Sequence, residues 1–153
     1  FATSVLMVLM VFGAFGRIFG GILGDRIGAL PGYILMSLGQ TIFVIWFPDL
    51  ISPTTIYVMA ALFGFTYSGV MSSILVCTRM MVPANYGARA MSLTSFFGWI
   101  GMGLGGFLGG YFFDIYGNYN WAFTFAGLSG VINLIILSFF FVYIRRAERL
   151  VLN

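Results

Sequence analysis

Seven basic and four acidic side chains leave five long uncharged stretches in this 153-residue chain, residues 1–16, 27–48, 50–78, 90–113 and 115–144. A bilayer's hydrocarbon core, about 30 Å thick, takes roughly 20 apolar residues to cross as a helix. The last four stretches are long enough outright, and the first is if Arg17 is accommodated near its end. Lipid offers no partner to an unpaired backbone N–H or C=O, so a spanning segment must be a helix or belong to a closed barrel. The ten-residue alternating segments of a barrel are not found here.

Composition agrees. The chain is 61% hydrophobic and 7% charged, with a mean hydropathy of +1.05, whereas a soluble domain carries roughly 25% charged residues. The expected fold is all-α, a polytopic membrane helix bundle with spans at about 2–23, 31–48, 54–78, 89–113 and 121–144 and a cytoplasmic tail over 145–153. Pro31, Pro48, Pro53 and Pro83 sit at the edges of these spans, where a missing N–H matters least. Trp46 and Trp121 suit the aromatic belt at the membrane surfaces.

Several function classes drop out. The chain has no histidine and one cysteine, Cys77, so no disulfide within the chain, metal cluster or cofactor site is expected. The spans carry no nucleophile with a base in reach and no deep pair of acids, and no enzyme or catalytic residue is expected. Arginines scattered over five helices make no basic patch for nucleic acid.

Their placement sets an orientation instead. Arg26 follows the first span, Arg79 and Arg89 flank the loop after the third, and Arg145, Arg146 and Arg149 follow the fifth; the other side has Asp49 and Asp114. The positive-inside rule then puts the Phe1 end outside and Asn153 in the cytoplasm, in a multi-pass protein of the cell membrane. The chain opens on Phe-Ala-Thr within a span and has no signal-peptide n-region. It reads as the C-terminal part of a longer polypeptide, whose missing N-terminal half would be its first partner beside the lipid bilayer.

An internal repeat sharpens the reading. GGILGDRIG at 20–28 and GGYFFDIYG at 109–117 both follow G-G-x-x-x-D-x-x-G, and Gly16 matches Gly105 at the same offset of 89 residues. Three spans lie between the copies, so they end on opposite sides of the membrane, as in the inverted repeats of many secondary transporters. In the fourth span Gly98, Gly101, Gly105 and Gly109 recur on one helical face, widened by Gly103, Gly106 and Gly110. Such a face permits close helix packing, either static or sliding.

GRIFGGILGDRIG, residues 16–28, resembles the loop signature between the eighth and ninth helices of the major facilitator superfamily, G-R-x-x-x-G-x-x-x-D-R-x-G. GMGLGGFLGGYFFDIYGNYNWAFTFAG, residues 101–127, resembles its eleventh helix, outer loop and the start of the twelfth, most of all in the monocarboxylate porter and oxalate/formate antiporter branches. The resemblance implies helices eight to twelve of a C-terminal six-helix half. The implied function is a secondary carrier that moves a small solute, an organic anion such as a mono- or dicarboxylate, by alternating access. A coupling proton, sodium ion or counter-substrate would be its co-transported partner.

Residue by residue, the resemblance puts Arg17 where monocarboxylate porters carry their substrate arginine. A guanidinium forks onto a carboxylate better than an ammonium does, although snorkelling to the headgroups would also explain it. Asp25 and Arg26, with Gly21 and Gly28 permitting a turn, match the pair that latches helix ends in that superfamily; a solvated turn is the plainer alternative. Arg89, with Arg79, is read as a gating charge, and Asp114 as an outer turn or cap. Trp99 and Asn133 are deep enough to line a substrate path, as are Ser68, Ser72, Thr94 and Ser95. Two departures leave the substrate open: Gly13 stands where monocarboxylate porters often have an Asp, and the chain has no lysine for the eleventh-helix position of the antiporters. The rivals are a carrier for a sugar, drug or amino acid, and a non-transporting five-helix subunit or scaffold.

Overall fold

The computed structural model describes residues 2–47 and 52–151, with side chains through Ala147. Helices cover almost all of this range. They are α1 (Ala2–Ile27), α2 (Ala29–Trp46), α3 (Pro53–Met81), α4 (Gly87–Tyr116) and α5 (Asn120–Val151), with a 3-10 turn at Ala84–Tyr86 before α4. All five are long and apolar enough to cross a membrane, so the all-α, five-span expectation holds.

Each helix extends past the expected border at one end or both, because charge ends a hydrophobic run but not a helix. Asp25 and Arg26 lie in the last turn of α1, where their N–H groups can still bond back along the helix while the side chains stay exposed. Arg145 and Arg146 of α5 are likewise helical and exposed. Residues 145–151, expected as a tail, continue the helix. Pro53 opens α3 as its first residue and Pro31 lies in the first turn of α2, positions whose N–H has no intrahelical acceptor to lose. Phe1, Pro48, Asp49 and Asn153 lie outside the described residues, as does the side chain of Arg149.

The closest helix pair is α1 on α3, and it rests on glycine. Gly13, Gly16, Gly20 and Gly24 are the buried residues of α1. A Cβ on Gly16 would run into the Phe65 carbonyl, one on Gly64 into the Leu9 carbonyl, and one on Gly20 would lie 2.9 Å from the Gly69 Cα. Two backbones meet with nothing between them, which is how helices gain dispersion energy in lipid. The sequence reading expected close packing on the glycine face of α4; among the described residues that packing is found on α1. Nothing lies within 4 Å of a Cβ built on Gly98, Gly101, Gly105 or Gly109, and Gly87 is the only buried residue of α4 among those described. The four glycines of α4 therefore pack against no helix among the described residues.

Helix α2 packs against both α3 and α5. Ala29, Leu30, Tyr33 and Met36 of α2 join Val70 and Cys77 of α3 and Leu137 of α5 in one buried cluster.

The repeat is visible in the backbone. Gly28 (φ 99°) and Gly117 (φ 67°) are the only positive-φ residues among those described, and they are the two last glycines of the repeated motif. Each follows the last residue of its helix, Ile27 or Tyr116. Each also donates its N–H four residues back, Gly28 to Gly24 O at 3.0 Å and Gly117 to Phe113 O at 2.8 Å. Two sequence readings change here. Gly21 lies inside α1 rather than at the turn, which Gly28 makes alone. Asp114 is no cap, because α4 runs on to Tyr116 and Gly117 terminates it.

Candidate substrate site

Arg17 sits in α1 ten residues before its last residue, Ile27, about 15 Å along the axis at 1.5 Å per residue. Gly13, Gly16 and Gly20 turn one face of α1 onto α3, and Arg17 is exposed. It opens into a cavity of about 250 Å³ shared with Tyr67 and Met71 of α3 and Ser95, Trp99 and Met102 of α4. Arg17 and Trp99, two of the three expected substrate residues, therefore line one pocket although 82 positions separate them.

Chemically the pocket offers one permanent cation, two hydroxyls from Tyr67 and Ser95, and walls of aromatic and thioether groups. Gly98 also lines it. Having no side chain, it leaves the space before Trp99 open.

The third expected residue is elsewhere. Asn133 of α5 lines a larger cavity, about 560 Å³, between α2, α4 and α5, with Ser37, Gln40, Thr41 and Ser129. Gly101, Gly105 and Gly109, with Leu104 and Leu108, form its α4 wall. Its amide is already engaged, since Asn133 Nδ2 donates to Ser37 Oγ at 3.0 Å, and the buried Tyr33 sits beside it. This cavity carries no charged residue.

The expected gate residues lie at helix ends. Asp25 and Arg26 are exposed in the last turn of α1, and Arg89 is exposed near the start of α4. Arg79 lies in the last turn of α3, favourable for a cation near a helix C-terminus, and its guanidinium covers Gly87, whose Cβ would lie 3.0 Å from Nη1. Between α3 and α4, Thr78 and Thr94 approach at 3.3 Å. Thr94 thus joins two helices, and Ser68 lies against Gly13; neither lines the Arg17 pocket. Among the described residues no group of three or more Cys, Asp or Glu side chains is placed to hold a metal.

Tyr67, Met71 and Gln40 were missed in the sequence. Gln40 carried a signal, since an amide inside an uncharged span is seldom there without a partner or a cavity. Tyr67 and Met71 carried none, being ordinary residues of an apolar helix.

A model of the Major Facilitator Superfamily matches residues 1–152. No curated protein and no solved structure gives a significant match. The match spans almost the whole chain and agrees with the five apolar helices long enough to span a membrane. The chain therefore belongs to the Major Facilitator Superfamily, a family of multi-pass membrane transporters of small molecules rather than enzymes.

Proposed function

We propose that this chain is the substrate-recognising C-terminal portion, helices eight to twelve, of a secondary active transporter for a small organic anion, a mono- or dicarboxylate. The observation that carries the reading is the shared pocket of Arg17 and Trp99. Burying an arginine in a span costs about 2.5 to 3.5 kcal/mol on insertion scales, and an anion bound between α1 and α4 offsets that cost. The fork geometry of the guanidinium takes both oxygens of a carboxylate, while Tyr67, Trp99 and Met102 accept a short organic body. Closing such a pocket brings α1 and α4 together on the anion; releasing it lets them part.

The repeat supports the larger architecture. Gly16 and Gly20 of α1 receive α3, while their counterparts Gly105 and Gly109 of α4 face an open cavity. A further helix set on α4 as α3 is set on α1 completes the symmetry, and it belongs to the preceding part of the polypeptide. The arginine count supports an orientation with the Phe1 end outside and the C-terminus in the cytoplasm, and residence in the cell membrane is part of the same reading.

Uptake of labelled carboxylates, sugars and amino acids into proteoliposomes carrying the complete transporter tests this, with Arg17→Lys and Arg17→Gln alongside. Carboxylate uptake that Gln abolishes and Lys impairs supports the assignment. Uptake unaffected in both variants makes Arg17 a snorkelling residue and removes the anion.

A further inference from the structure

At the C-terminal end of α5, Phe141, Val142, Arg145 and Arg146 line a groove of about 200 Å³. The spacing puts each arginine one helical turn beyond an apolar partner, Phe141 below Arg145 and Val142 below Arg146, on a single face. The Arg145 guanidinium stands 4.5 Å from the Phe141 ring centroid, and that ring packs against the buried cluster of α2, α3 and α5. So the cation is held over an anchored ring, and the ring's face strengthens its hold. Arg146 is exposed beside it. The uncharged run of α5 ends at Ile144, which sets both guanidiniums at headgroup level with apolar surface on the membrane side.

Two adjacent cations above apolar surface match an anionic phospholipid: a phosphodiester at the arginines and an acyl chain along Val142 and Phe141. We infer that this groove is a binding site for the phosphate of an anionic lipid, separate from the Arg17 pocket. Inorganic phosphate shares the charge but has nothing to lay along the apolar wall.

The complete transporter, purified in detergent and offered equal amounts of phosphatidylglycerol and phosphatidylcholine, is read by native mass spectrometry for bound lipid. The wild type retains phosphatidylglycerol in excess, and Arg145→Gln with Arg146→Gln lowers that excess roughly five-fold for each arginine removed. The double Lys variant, which keeps the charge, retains most of it. Phe141→Leu, which removes the ring but not the apolar wall, lowers it roughly two-fold. An unchanged lipid ratio in the double Gln variant overturns the site. Complete displacement of the lipid by millimolar inorganic phosphate overturns the lipid in favour of free phosphate. A ratio that falls as far in the double Lys variant as in the double Gln variant overturns phosphate recognition by charge.

Discussion

Asn133 Nδ2 donates to Ser37 Oγ at 3.0 Å, joining α5 to α2 across 96 residues of chain. Ser37 is buried, and the carbonyl of the same residue accepts from Thr41 Oγ1 at 2.8 Å. An amide placed in lipid without a partner is costly, and here it is spent on holding two spans together. We expect Ser37→Ala, Asn133→Leu and their combination to give a coupling energy of about 0.6 kcal/mol, at most about 1.7, in a reversible unfolding assay in mixed micelles. Substrate KM is expected to stay unchanged in Asn133→Leu, because the Arg17 pocket is elsewhere; a raised KM with intact stability would return Asn133 to the substrate path.

Arg17→Gln removes the cation and leaves the walls of its pocket intact. Losing a charge-assisted hydrogen bond costs about 1.5 to 3 kcal/mol, a roughly ten- to hundred-fold fall in affinity, read as KM in uptake or by competition binding. Trp99→Phe keeps a ring on the wall and is expected to change KM by less than Trp99→Ala. Equal effects of the two Trp99 variants would show that the ring makes no contact with the solute.

Gly16 and Gly21 lie on the same helix and are expected to respond oppositely to one methyl group. A Cβ at Gly16 meets the backbone of Phe65, whereas nothing lies within 4 Å of one at Gly21. Gly16→Ala is expected to destabilise by about 1 to 3 kcal/mol, as overpacking does, with loss of folded protein in fluorescence size exclusion. Gly21→Ala is expected to be neutral or to gain a few tenths of a kcal/mol from helix propensity. Matching losses in both variants would contradict the α1–α3 contact.

Gly28 and Gly117 end equivalent helices in different conformations. Gly117 has φ 67° and ψ 10°, the left-handed region that asparagine also visits. Gly28 has φ 99° and ψ 151°, which almost only glycine adopts. Gly117→Asn is therefore expected to express and fold near the wild-type level. Gly28→Asn is expected to lose about 1 to 3 kcal/mol, seen as a lower melting temperature. A reversed ranking would rule out these turn conformations.

Spans and turns were legible in the chain for a direct reason: charge is costly in lipid wherever it falls along the sequence, so it collects at the span ends, with Arg17 the exception. The break at Gly28 and the echo at Gly117 were legible as well, since the motif repeats its glycine in register. The turn at Gly21 and the cap at Asp114 were misread because a helix accepts charged residues in its last turn, so hydropathy marks its border too early. Asn133 was grouped with Arg17 because depth in the membrane can be read along the chain and direction around the helix cannot.

The sequence by itself determined five helices, their alternation and the scarcity of charge within them, because transfer of each segment into lipid depends on that segment alone. Only the tertiary structure decided which glycines meet a neighbour, that Arg17 and Trp99 share a pocket, and that Asn133 bonds to Ser37. In water the buried face of a helix is written in its hydrophobic periodicity, but lipid tails are as apolar as leucine. No such stripe distinguishes the glycine face of α1, which meets α3, from that of α4, which meets no helix among the described residues, and the choice falls to how closely two backbones fit.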